Sequence, residues 1–227
     1  MRVKIIPSQG IVVHQMNSRA RYLAFIVAAV AFASLVLQLY LIIAKMTADG
    51  ATVVHAVWRY LGYFTILSNI LVAVVSTAMA LAPASRLAGA RMRLTAATAI
   101  GMVGIVYSVA LRNVWQPQGW QAIADHALHD AVPPLFLLAW FSTEHGQLQY
   151  RDAAWAMTAP ALYLAYSLTR GAIDGWYAYW FFDPGKLTIT QLSGNAAVLM
   201  VAFFTAGVVL VAIDRWLAKR GTKTALT

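Results

Sequence analysis

The stretch YLAFIVAAVAFASLVLQLYLIIA, Tyr22 to Ala44, contains no charged residue, and Ser34 and Gln38 are its only strongly polar side chains apart from two tyrosines. A helix rises about 1.5 Å per residue and crosses the hydrocarbon of a bilayer in roughly 20 predominantly apolar residues. This run is long enough to do so. Arg19 and Arg21 precede it, and the tripeptide AFA inside it faintly resembles a signal-peptide cleavage site. Apolarity nevertheless continues to Ile43, well past a usual signal core, so the reading is a retained span near 20–45.

The rest of the composition agrees. Of 227 residues, 61% are hydrophobic and 11% charged, where a soluble domain carries roughly 25% charge. There is no cysteine, which excludes disulfides, thiolate metal sites and a thiol nucleophile. The formal net charge is +9, but the basic residues fall mostly between apolar runs and lack the clustered, aromatic-interleaved pattern of a nucleic-acid surface. Membrane lipids are therefore the expected partners, and nucleic acid is not. No cofactor is expected.

Five further segments meet the spanning length, near 57–82, 92–114, 122–143, 153–172 and 189–213, which predicts an all-α polytopic membrane protein: one domain, a bundle of six transmembrane helices. The connectors are short and carry breakers or charges, and no internal repeat is evident. Arg2, Lys4, Arg19, Arg21, Arg86, Arg91, Arg93, Arg151, Arg215, Lys219, Arg220 and Lys223 fall on one side. Only Lys45, Arg59, Arg112, Arg170 and Lys186 fall on the other. Because basic loops stay in the cytoplasm, both termini are expected there, in a bacterial inner membrane or its equivalent.

Within this bundle, YFTILSN, Tyr63 to Asn69, sets Thr65, Ser68 and Asn69 three and four residues apart on one helical face. On the predicted topology Thr65 and His129 both lie about 10 Å below the outer boundary. Arg112 and Arg170 stand near the outer ends of their spans. The densest polar segment is DHALHDAVPP, where Asp125 and His129, like His126 and Asp130, are four apart, so either carboxylate could orient an imidazole. Pro133 and Pro134 cannot donate to the carbonyls of His129 and Asp130, which predicts a kink beside the cluster. Ionisable groups inside spans are costly and mark sites by default.

Each of these residues also has a structural reading. A membrane-helix threonine usually bonds the carbonyl four residues back, here Leu61. Asn69 could fix packing, the arginines could reach out to lipid phosphates, and the aromatics of DGWYAYWFFDPGK could form an interfacial belt. That loop could instead lie over the site as a lid, with Tyr177, Tyr179 and Asp183 lining the entrance.

YFTILSN, LHDAVPPLFLLAW at Leu128 to Trp140, APALYLAYSLTRGAIDGWYAYWFFD at Ala159 to Asp183 and the six-span layout together resemble a group of small bacterial membrane proteins. That group is distantly similar to the eukaryotic androgen-induced and androgen-dependent-TFPI-regulating membrane proteins, intramembrane threonine hydrolases of fatty acid esters of hydroxy fatty acids. The resemblance implies a Thr–His dyad of Thr65 and His129 acting on a lipid ester. Asn69 would donate to the developing oxyanion, Asp125, His126 and Asp130 would support the imidazole, and Arg112 or Arg170 would hold a carboxylate. The sequence departs from the eukaryotic pattern at Asp130, where that pattern has threonine, and in a shorter spacing between the two motifs.

Other functions also fit the sequence. A kinked, charged helix could line a transport path, although the polar groups gather near one face. His126 and His129, with His55 as a third ligand, could begin a metal site, while His14 and His145 fall on the other side. A structural membrane protein without catalysis is also compatible.

Overall fold

The computed structural model describes residues 16–224, and all regular structure there is helical, with no strand. Helix α1 runs Ser18–Ala48, its first turn capped by the Asn17 side chain, which accepts from the Ala20 N–H. Helix α3, Phe64–Leu81, and helix α4, Ala90–Val106, form the centre; α4 continues through a π-turn, Tyr107–Leu111. Helix α9 is Ile189–Thr224. The stretches Ser18–Ala48, Phe64–Leu81, Ala90–Leu111 and Ile189–Arg220 are long and apolar enough to cross a membrane. The protein thus has the helices of a membrane protein.

Small residues let the central helices approach. Ala20, Ala24, Val27 and Ala31 recur at helical spacing along one face of α1 and are buried, chiefly against α3. Val72, Val75 and Met79 of α3 meet Ile100 of α4, while Phe136 and Trp140 of α6, Val132–Phe141, complete the same cluster. The opposite face of α1 exposes Tyr22, Phe25, Phe32 and Tyr40, apolar surface suited to lipid. In lipid, such interfaces hold by close packing, since hydrocarbon gains nothing from burying a leucine.

Two expected spans are interrupted. The segment read as one helix over 57–82 is helix α2, Val53–Tyr60, then a break at Leu61, Gly62 and Tyr63, then α3. Tyr166 and Tyr163 donate to the carbonyls of Leu61 and Gly62 (3.3 and 3.0 Å), which replaces the lost helical bonds. The segment 153–172 opens with the short α7, Ala153–Ala156, and continues as α8, Thr158–Asp174. Helix α5, Trp120–His126, passes through a π-turn, Ala127–Ala131, directly into α6. The disruption expected from Pro133 and Pro134 takes the form of that π-turn, in which the Val132 N–H reaches back to the Ala127 carbonyl.

At the end of the bundle away from Thr65, polar ties hold the loops. Asp214 of α9 accepts from the Gly146 and Leu148 N–H groups and pairs with His145 at 3.0 Å. Arg91 donates to Asp152 at 2.8 Å. Burial pushes the Asp152 carboxyl up, but the Gln149 N–H and the Arg91 guanidinium outweigh it and hold the group below the usual carboxylate range. His14, Arg2 and Lys4 lie outside the described residues.

Candidate active site

The break at 61–63 decides where Thr65 stands. Thr65 is the second residue of α3, so its backbone N–H has no partner within the helix. Its hydroxyl consequently does not follow the expected bond to the Leu61 carbonyl, which the Tyr166 hydroxyl occupies. Thr65 Oγ1 lies 3.2 Å from His129 Nε2, and the Tyr179 hydroxyl stands 3.4 Å from the Thr65 nitrogen and 3.5 Å from Oγ1.

His129 sits in the middle of the π-turn, and its second nitrogen fixes its tautomer. Nδ1 is 2.9 Å from the Asp125 backbone carbonyl, which can only accept. Nδ1 of the neutral ring therefore carries the hydrogen, and Nε2 is left as an acceptor for the Thr65 hydroxyl. Asp125 Oδ1 lies 3.4 Å from the same Nδ1, placing a carboxylate where an imidazolium would form.

Tyr107, at the start of the other π-turn, stacks its ring on His129 with centroids 4.0 Å apart and planes 17° from parallel. Its hydroxyl donates to Asp125 Oδ2. Two π-turns on facing helices thus meet at the imidazole, and such turns are frequent at functional sites. Close approach is possible because Gly104 faces the turn: a Cβ there would lie 3.4 Å from the His129 carbonyl and from Pro133. Tyr107 escaped the sequence reading because one tyrosine in an apolar run looks like packing.

Several expected site residues have other partners. Asn69 is fully buried, and its amide donates to the Thr65 and Leu128 carbonyls (2.8 and 3.3 Å). Oriented this way it ties α3 to the π-turn that carries His129. Arg112 pairs with Asp130, and His126 Nδ1 reaches the other oxygen of Asp130 at 2.8 Å. This outer trio does not contact Thr65, and the Arg112 guanidinium is paired with Asp130.

Arg170 is buried beside Trp58 and Trp176, its guanidinium carbon 4.3 and 5.3 Å from their ring centroids. Gly62 makes room for this stack, because a Cβ would fall 2.2 Å from the guanidinium and 2.5 Å from Trp176. Trp58 donates in turn to Asp174 at 2.6 Å. Arg170 therefore braces the break before α3, with its Nε 3.5 Å from Asp174.

Of the three expected entrance residues, only Tyr179 reaches the site. Tyr177 packs its ring against Gly171, and Asp183 accepts from the Gly185 N–H at 2.9 Å in its own turn. Tyr179 is held by Phe181, stacked at 5.2 Å, and burial pushes its phenol up, so it stays a hydroxyl.

Thr65, Tyr107, His129 and Tyr179 line two cavities at once. One, taking in about 590 Å³ that includes space open to solvent, is walled by apolar side chains of α4, α8 and α9, among them Met102, Leu164, Leu199 and Phe203. The other encloses about 1480 Å³ of space open to solvent and runs between α1, α2 and α5. Among the described residues no group of three or more histidine, aspartate or glutamate side chains is placed to hold a metal ion. The nitrogens of His126 and His129 that make contacts are directed to Asp130, Thr65 and Asp125.

No family model, curated protein or solved structure matches the chain.

Proposed function

We propose that the chain is an intramembrane hydrolase of fatty-acyl esters that uses a Thr65–His129 dyad, related to the threonine hydrolases its motifs resemble. The observation that carries this reading is the directed contact of Thr65 Oγ1 with an imidazole nitrogen left as an acceptor by the Nδ1–H bond to the Asp125 carbonyl. A packing threonine needs no such arrangement.

In the reaction, His129 Nε2 takes the hydroxyl proton as Thr65 Oγ1 attacks the ester carbonyl. Collapse of the tetrahedral intermediate breaks the ester C–O bond, and the imidazolium returns its proton to the departing alkoxide. Water then adds to the acyl-threonine with His129 again as base, releasing the fatty acid and restoring the hydroxyl. Asp125 stabilises the transient imidazolium, and the Tyr179 hydroxyl, which accepts from the Thr65 N–H and lies 3.5 Å from Oγ1, is the donor for the developing oxyanion.

The same reading takes the chain as six spans, counting 120–141 and 153–174 with the four long apolar helices, with both termini on the cytoplasmic side and the dyad toward the outer leaflet. The excess of Lys and Arg on one side supports that orientation.

The test is covalent labelling of detergent-purified protein by a fluorophosphonate, with wild type, Thr65→Ala and His129→Ala compared at matched folded yield. Labelling that requires both residues supports the hydrolase. Absence of labelling in folded wild type overturns it and turns attention to vesicle flux assays for transport.

A further inference from the structure

The dyad lies between two cavities, one lined by apolar side chains and aromatic hydroxyls and one that also carries charged and amide groups. On one side the walls are apolar, with Leu164, Leu199, Met200 and Phe203 along them. On the other, the larger cavity carries Lys45 and Arg59, with the amides of Gln38 and Gln121 bonded to each other at 2.7 Å. A molecule reacting at Thr65 is therefore received as two unlike arms.

Arg59 and Thr65 share one wall of the larger cavity. Arg59 is in the last turn of α2, Thr65 in the first turn of α3, and only the tight break at 61–63 separates the helices. The Arg59 side chain is set by stacking on Trp176, 4.1 Å from the ring centroid, and among the described residues no carboxylate lies within ion-pair distance of it. Lys45 has only an exposed contact with Asp49 at 3.5 Å, a pair of the kind that is worth little and yields to a better anion. Both cations belong to helix ends, where lysine and arginine meet the headgroup layer of a bilayer.

We infer that the larger cavity is a subsite for a phosphate-bearing head, and that the molecule occupying both cavities is a single-chain acylglycerol phosphate, its acyl chain in the apolar cavity and its phosphate between Lys45 and Arg59. Two cations lining one cavity carry the choice of phosphate: a guanidinium and an ammonium together match a group that bears up to two charges and three free oxygens, where a carboxylate brings one charge and two oxygens. The identity of the cleaved bond rests on the hydrolase reading; the binding subsite does not.

The experiment uses ligands that cannot be cleaved. Full-length protein in detergent is titrated with an ether-linked alkylglycerol phosphate, the neutral alkylglycerol of equal chain length and a carboxylate amphiphile of equal length, with binding read by native mass spectrometry. The expected result is at least tenfold tighter binding of the phosphate than of either other ligand. The phosphate-to-neutral ratio should fall toward one in a Lys45→Gln, Arg59→Gln double variant whose thermal unfolding matches wild type. Equal binding of phosphate and neutral ligands overturns the subsite. Equal binding of phosphate and carboxylate overturns the choice of phosphate, and a preference that survives in the double variant assigns it to charge elsewhere on the protein. A selective wild type that no fluorophosphonate labels keeps the subsite as a lipid-binding site and removes only the hydrolase.

Discussion

The ring of Tyr107 lies on the imidazole of His129, 4.0 Å between centroids, while its hydroxyl is bonded to the carboxylate of Asp125. One side chain thus fixes both the plane of the proposed base and the group behind it. The contact joins two π-turns from different helices, and neither turn alone would place an acceptor nitrogen on Thr65.

Removing only the Tyr107 hydroxyl separates these two roles. Tyr107→Phe keeps the stack and leaves the buried Asp125 oxygen without its donor, at a cost of about 1–3 kcal/mol. The expected outcome is a lower thermal midpoint together with a slower fluorophosphonate reaction. Tyr107→Ala, which also frees the ring, should slow that reaction further.

The hydroxyl of Thr65 is separable from its shape. Thr65→Ser retains an oxygen that can face His129 Nε2 and should keep labelling, whereas the isosteric Thr65→Val should abolish it at normal folded yield. His129→Gln should slow labelling by roughly a hundredfold or more, the usual weight of a positioned base. Labelling of the valine variant at the wild-type rate would place the reactive group elsewhere.

Gly62 should resist substitution. An added Cβ meets the guanidinium of Arg170 at 2.2 Å and Trp176 at 2.5 Å, and the stack with Trp58 leaves the guanidinium little room to retreat. Gly62→Ala is expected to destabilise by roughly 1–3 kcal/mol, as overpacking does. Thermal unfolding in detergent reads this, and the displaced start of α3 should also weaken labelling of Thr65.

Acid should loosen the opposite end of the bundle through Asp152. Its carboxyl is held below the ordinary range in the folded protein, so its contribution is fully present above the unfolded value of about 3.9 and is lost as pH falls through the lower folded value. Asp152→Asn should lower stability at neutral pH and flatten the acid limb of a thermal-midpoint profile. An unchanged acid limb would exclude Asp152 as its source.

The apolar runs were legible because a span needs only length and composition, and α1, α3, α4 and α9 follow directly from theirs. The DHALHDAVPP cluster was legible too, since helical spacing brings Asp125 to His129 whatever surrounds them. The break before α3 was not. Leu61, Gly62 and Tyr63 continue the hydrophobic pattern, and what opens the helix there is Tyr163 and Tyr166 donating from a hundred residues away and Arg170 wedged against a glycine.

The sequence by itself determined that this chain builds apolar helices and which of them carry the costly polar groups, because both follow from local periodicity and from the price of charge in hydrocarbon. Only the tertiary structure decided the partners. It gave Arg112 to Asp130, Arg170 to the tryptophans and Asn69 to two carbonyls, and left His129 for Thr65. Each of those side chains could reach more than one group along its own helix, and the choice was made by contacts between helices that no local pattern encodes.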